Sequence, residues 1–330
     1  MQIDLRTVNI EPVRKTFDHL ARRFGDKPAS RYQEGSYDLQ ATENLHYRPT
    51  WDPDQALYDP NLSRIRMQDW YALKDPRQFY YSTYTLARAR QQENMEANFS
   101  FVEERGLHDM LSAEIRHKAL DLLIPLRHAA WGGNQNNALI CGYGFGVVFT
   151  QPCIYHAMDN LGISQYLSRL GLLLGGTEAL HQAKQSWMND SSWQPLRRLV
   201  EDSMGIRDPF EVFVLQNVVL DGLLYPLVYE RIVDDYLSSR GGQAVAMLTQ
   251  FMPSWFTESK KWTTGVLKVA AAESPENAAV LAEWIKTWSD RVVSSLIPVL
   301  GIVIDDNVDE MVCEELEAFH TRIKAMGIPL

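Results

Sequence analysis

The pattern of apolar and polar positions along the chain changes once, near residue 75. Before that point Pro28, Pro49, Pro53 and Pro60 interrupt a stretch whose apolar residues keep no period, which argues against both helix and strand. The same stretch holds Tyr32, Tyr37, Tyr47, Trp51 and Tyr58, and a segment that stays disordered is poor in such rings. It reads as an extended arm over residues 1–75, with a short helix over 11–24 in which Pro12 suits the first turn. The arm docks either on its own domain or on a partner chain. For the partner case Tyr32, Tyr47, Trp51 and Tyr58 are the candidate contacts, because interfaces are enriched in large aromatics.

Over 76–330 the period is helical. Asp75-Pro76 reads as a cap followed by a first-turn proline, opening a helix that stops near Gly106. Further helices are predicted over 112–128 and over 147–174, the latter ended by Gly175-Gly176. Asp208-Pro209 opens another, ended by Gly241-Gly242 and apolar on nearly every face in its first half, so it belongs at the centre of a bundle. Helices over 249–272, 275–300 and 306–326 follow, the last with acids early and Lys324 late, as the helix dipole prefers. No period-two run persists and no segment repeats. The predicted fold class is all-α, a large helical bundle over 76–330 preceded by the arm.

Composition then narrows the function. A net charge of −10 lacks the basic face that nucleic-acid binding needs. Cys141, Cys153 and Cys313 make neither a disulfide framework nor a CxxC pair, which suits a reducing cytoplasm. The start, MQIDLRTVNIEP, carries an acid and no apolar core, so it does not read as a signal peptide. No uninterrupted apolar run approaches the length of a membrane span. A cytoplasmic protein with neither nucleic acid nor membrane as partner is expected.

Few motifs suggest chemistry. There is no P-loop and no GxSxG, and Gly142, Gly144 and Gly146 fit close helix packing better than a dinucleotide fingerprint. Glu-x-x-His occurs three times, as Glu114/His117, Glu178/His181 and Glu317/His320. On a helix such a pair shares a face, and a di-iron bundle needs two of them plus a carboxylate from each of two other helices. Their surroundings are charged or lie at helix ends, so solvated faces are the plainer reading. Asp221 is the odd residue, a carboxylate in the apolar run VVLDGLLYPL, where burial is costly unless it is paired, protonated or bound to a metal.

Five blocks then carry a resemblance: RFGDKPASRYQE (23–34), HYRPTWDP (46–53), DPRQFYY (75–81), AMDNLGISQYLSRLGLLL (157–174) and NVVLDGLLYPLVYERI (217–232). In this order they resemble the β subunit of bacterial multicomponent phenol hydroxylases, to which toluene ortho-monooxygenases are closely related. The resemblance implies a ferritin-like fold and an (αβγ)2 assembly served by a regulatory component and a reductase. It places the di-iron centre in the α subunit, with no cofactor in this chain. It also implies an eroded metal site. Pro125 and His128 stand where one Glu-x-x-His would be, Glu258 and Lys261 where the other would be, and Asp221 where the α subunit has a Glu ligand; Glu93 and Glu96 are the candidates for the remaining carboxylate. Lys261 is expected to supply the missing positive charge by pairing with Asp221 or Glu258. The competing readings are an independent di-iron oxidase or desaturase-like enzyme built on the intact Glu-x-x-His pairs, and a free-standing helical binding module.

Overall fold

The computed structural model describes residues 20, 23–25, 29–37, 39–40, 48–50, 52–304 and 307–330. Among them every regular element is helical and no strand occurs. A short helix α1 (Arg31–Ser36) lies in the arm, capped by Ser30, whose hydroxyl accepts from the Gln33 N–H. The expected helix over 11–24 falls mostly outside the described residues, as do Tyr47 and Trp51. The bundle starts with α2 (Tyr81–Glu104), not at Pro76. Asp75 instead folds back on its own loop, accepting from the Arg77 N–H and from its guanidinium, and Gln78 takes a left-handed φ of 53°. A loop stabilised this way delays the helix by one turn.

Helix α3 (Ala113–Leu123) starts where expected, with Ser112 as its cap, but ends before Pro125. The chain then enters α4 (Leu126–Tyr143), a helix that its run of Gly and Asn does not suggest. Tertiary packing decides it. A Cβ at Gly132 would come within 2.3 Å of Val200, and one at Gly133 within 2.6 Å of Asn160, so these glycines allow the helix to sit against its neighbours. Close packing therefore holds at Gly132 and Gly133 and, as expected, at Gly144, where a Cβ would come within 2.8 Å of Thr150, but not at Gly142, which has nothing within 4 Å. Gly146, by contrast, turns the chain with φ 87° into α5 (Val147–Asn189). The stop expected at Gly175-Gly176 is a break inside α5, where Gly176 has φ 65° and ψ −163°, and the helix resumes beyond it.

After α6 (Gln194–Ser203), Asp208 caps α7 (Pro209–Arg240) by accepting from the Phe210 and Glu211 N–H groups. Helix α7 contains two π-helical stretches, Val214–Leu220 and Pro226–Leu237; the second begins at a proline that has no N–H to give. By length and composition α7 could cross a membrane, but its apolar window is wholly buried inside the chain, as its all-round apolar pattern requires. Helices α8 (Gln243–Thr249), α9 (Phe251–Glu273), α10 (Pro275–Leu300) and α11 (Val308–Lys324) complete the bundle.

The described arm residues dock on this chain's own bundle. The Tyr32 ring is buried and its hydroxyl accepts from the Asp75 N–H at 3.0 Å, so its assignment to a partner interface is corrected: it is a core anchor. Tyr37 stacks on Tyr71 at 5.2 Å with the Arg23 guanidinium over both rings. Residues 60–75 continue across the bundle surface. Arg64 forms a two-pronged pair with Glu283 at 2.8 and 2.7 Å, and Asn277 exchanges hydrogen bonds with the Arg66 backbone. Tyr58 is half-buried at a left-handed φ of 54°.

Candidate functional site

The bundle interior is not uniformly apolar. On α2, Arg88 points inward and its guanidinium holds two carboxylates at once. It reaches Asp159 of α5 at 2.7 and 2.6 Å and Glu258 of α9 at 2.9 and 3.1 Å. Asp159 also accepts from the Tyr84 hydroxyl and from the Trp255 indole N–H, both at 2.9 Å. Arg77 adds a weaker contact to Glu258 at 3.4 Å. Burial alone would lower the Arg88 pKa, but its hydrogen bonds to Asp159 and Glu258 raise it, so the cation is retained. Burial and the neighbouring Asp159 carboxylate push the Tyr84 hydroxyl well above the usual tyrosine range.

A second network adjoins the first. His156 lies one helical turn before Asp159 and is 1% exposed. Its Nε2 is 3.0 Å from Asp221, and its ring stacks on Trp255 with centroids 4.5 Å apart. The other Asp221 oxygen accepts from Gln216 at 2.9 Å. Gln216 in turn accepts from Asn136 of α4 at 2.9 Å, and Asn136 also donates to Ser203. Beside this chain Asn137 and Asn217 exchange two hydrogen bonds at 2.9 and 2.8 Å. Asp221 is thus a paired carboxylate, which explains how the apolar run tolerates it.

The residues singled out from the sequence do not converge. Lys261 is exposed, and the described partners of Asp221 and Glu258 are His156, Gln216, Arg88 and Arg77; the expected Lys261 pairing is therefore corrected. The reason is helical phase. Glu258 lies at the edge of the buried face of α9 and Lys261 falls beyond it on the solvent side, while the inward positions are filled by Ser259, Trp262 and Thr263. Pro125 ends the turn before α4. His128 stacks on Trp187 at 5.6 Å, and burial, with Arg127 and Lys184 near, lowers its pKa to about 4. Glu96 pairs with Arg169 at 2.7 Å on the surface. In the intact Glu-x-x-His pairs Glu114, His117, Glu178, His181 and Glu317 are all exposed.

A di-iron centre does not fit these residues. It needs carboxylates and histidines converging from four helices. Among the described residues no group of three or more His, Cys, Asp or Glu side chains is brought together. The two inner carboxylates nearest such an arrangement are already held by a guanidinium. Sequence reasoning missed Arg88, His156 and Asp159. The available signal was pairs at one-turn spacing, Tyr84 with Arg88 and His156 with Asp159, together with the adjacent amide pairs at 136–137 and 216–217 within otherwise apolar stretches.

Comparison with known proteins returns one group. The model of a family described as Methane/Phenol/Alkene Hydroxylase matches residues 51–274. The phenol 2-monooxygenase oxygenase component DmpL of Pseudomonas sp. (strain CF600) is 48% identical over 334 residues, covering 99% of this chain and 98% of that one. The hydroxylase component subunit beta of the toluene-4-monooxygenase system of Ectopseudomonas mendocina is 24% identical over 309 residues, covering 87% and 90%. The crystal structure of xenon-pressurized phenol hydroxylase from Pseudomonas sp. OX1 superposes with a TM-score of 0.86 at 46% identity, covering 95% of this chain and 97% of the matched chain.

Proposed function

The chain belongs to the methane/phenol/alkene hydroxylase family, and on that premise we propose that it is the non-catalytic β subunit of a multicomponent phenol hydroxylase. In this reading it takes part in aromatic monooxygenation as one component of a complex. It holds a di-iron α subunit in place, with a small γ subunit and a second β copy, in an (αβγ)2 assembly in the cytoplasm. A regulatory component and a reductase serve the complex. The bundle over 76–330 provides the scaffold and the arm over 1–75 extends it. A relative of similar length that is named as subunit beta supports this role.

The observation that carries the reading is the Arg88 clamp. Asp159 and Glu258 share one guanidinium with hydrogen bonds of 2.6 to 3.1 Å. A charge-assisted fork of this kind satisfies carboxylates that a metal would otherwise claim. In this reading the chain acts on catalysis by positioning its partner's helices.

The test is co-expression. The chain is purified alone and with candidate partner subunits, and iron content and phenol hydroxylation are measured after adding the electron-transfer components. Iron and activity are expected only in the complex. A pair of irons per chain in the isolated protein, with substrate oxidation on reduction, would overturn the scaffold role in favour of an independent di-iron enzyme.

A further inference from the structure

Helix α5 buries His156, Asp159, Ile163 and Leu167 against the bundle. Its opposite face is not the charged surface that solvent favours. Ile154, Met158, Leu161, Gln165, Ser168 and Leu172 follow one another in steps of four, three, four, three and four residues. This is the spacing by which helices pack on one another, since an average step of about 3.5 residues keeps a seam turned toward its neighbour. No residue of the seam is charged, and Ile154, Met158, Leu161 and Leu172 are 36–54% exposed. Trp131 of α4 stands beside it, equally open to solvent. Asn134 of α4 donates to the Ala157 carbonyl and Ser164 of α5 donates to the Arg127 carbonyl, and Trp131 lies between these two ties.

Size and shape say what covers the seam. It runs roughly 27 Å at about 1.5 Å per residue, and a strip one helix wide covers roughly 300 Å², short of the ≈ 800 Å² that each side of a stable interface buries. The occupant therefore spreads onto α4 and is a folded helical subunit, not a lone peptide helix. A second copy of this chain fits poorly. Antiparallel self-pairing about a two-fold axis sets Ile154 against Leu172, Met158 against Ser168 and Leu161 against Gln165. Each Gln165 amide would then be buried against a leucine, and a buried amide without a partner is costly. Parallel self-pairing matches the amides but sets Ser168 against Ser168, which leaves a gap in a seam of larger residues.

We propose that this seam is the docking surface for the di-iron partner subunit. One partner helix lies along α5 with apolar residues at the same spacing, a hydrogen-bonding side chain opposite Gln165 and a large residue over Ser168. The inference rests on the subunit role proposed above and adds the face through which that role is carried. It also links the interior to the surface. Asp159, held by the Arg88 guanidinium, directly follows Met158, so holding Asp159 inward holds Met158 and Leu161 outward.

The test measures binding of the full-length chain to the candidate di-iron subunit, with the oligomeric state of the chain alone followed by sedimentation velocity. Met158→Glu and Leu161→Glu change exposed positions, so the melting curve of the chain alone should not move. Each is expected to weaken partner binding roughly thirtyfold or more, the scale of a central interface residue. Met110→Glu, at an exposed position between α2 and α3, should leave binding unchanged. Gln165→Leu should weaken it about tenfold, because it strands the polar group opposite. Undiminished binding by Met158→Glu and Leu161→Glu would overturn the assignment and leave the subunit role standing. A chain that is dimeric alone and made monomeric by these substitutions, with partner binding kept, would give the seam to a second copy instead. Failure of the unsubstituted chain to bind would overturn the seam and the subunit role together.

Discussion

Among single residues, Arg88 and Lys261 make opposite claims on the same role. Both are cations near Glu258 in sequence or space, but only Arg88 is buried against two carboxylates. Removing one partner of a buried pair leaves an uncompensated charge in a low-dielectric interior. Arg88→Met is therefore expected to cost the chain about 3–5 kcal/mol in urea unfolding. Lys261→Ala, at an exposed position, should stay within about 0.5 kcal/mol. Comparable losses in the two variants would return Lys261 to the interior. The misassignment has a plain cause. A sequence shows which residues are charged, but only the rotation of α9 against α2 and α5 decides which of them face inward.

Among elements, helix starts with a capping side chain were the legible ones, the Asp75-Pro76 start excepted. Ser112, Asp208 and Ser274 each accept from backbone N–H groups at the starts read for them, because a side-chain oxygen satisfies those donors locally. Helix α4 was not legible, since its Gly and Asn residues disfavour helix locally and are retained for close approach and for amide pairing across the bundle. The break in α5 rests on Gly176, whose φ 65° and ψ −163° suit glycine alone. A Cβ there would meet nothing within 4 Å, so the penalty of Gly176→Ala is one of backbone conformation only. Thermal or urea unfolding should register a loss of about 1–3 kcal/mol. No loss would mean that α5 can straighten through this point.

At the scale of the whole molecule, the question is what the arm holds. Its described residues are tied to the bundle through Tyr32, Tyr37, Arg64 and the Asn277–Arg66 exchange. Tyr32→Ala removes a ring that is 5% exposed and leaves the Asp75 N–H without its acceptor. A destabilisation of about 3 kcal/mol is expected in the chain measured without partners, in the range for large-to-small changes of buried aromatics. An unchanged midpoint would mean that this part of the arm contributes nothing to the bundle and is available to a partner.

The sequence by itself determined the all-helical class, the central place of α7, the helix starts at Ser112 and Asp208 and the resemblance that leads to the family. These follow from local periodicity, from short-range hydrogen bonding at caps and from blocks of residues in order. Only the tertiary structure decided that Arg88 clamps Asp159 and Glu258, that His156 pairs with Asp221, and that Tyr32 belongs to this chain's own core. Each of these pairs residues at least 43 positions apart. Contacts at that separation depend on how helices rotate and pack against one another, which no local pattern encodes.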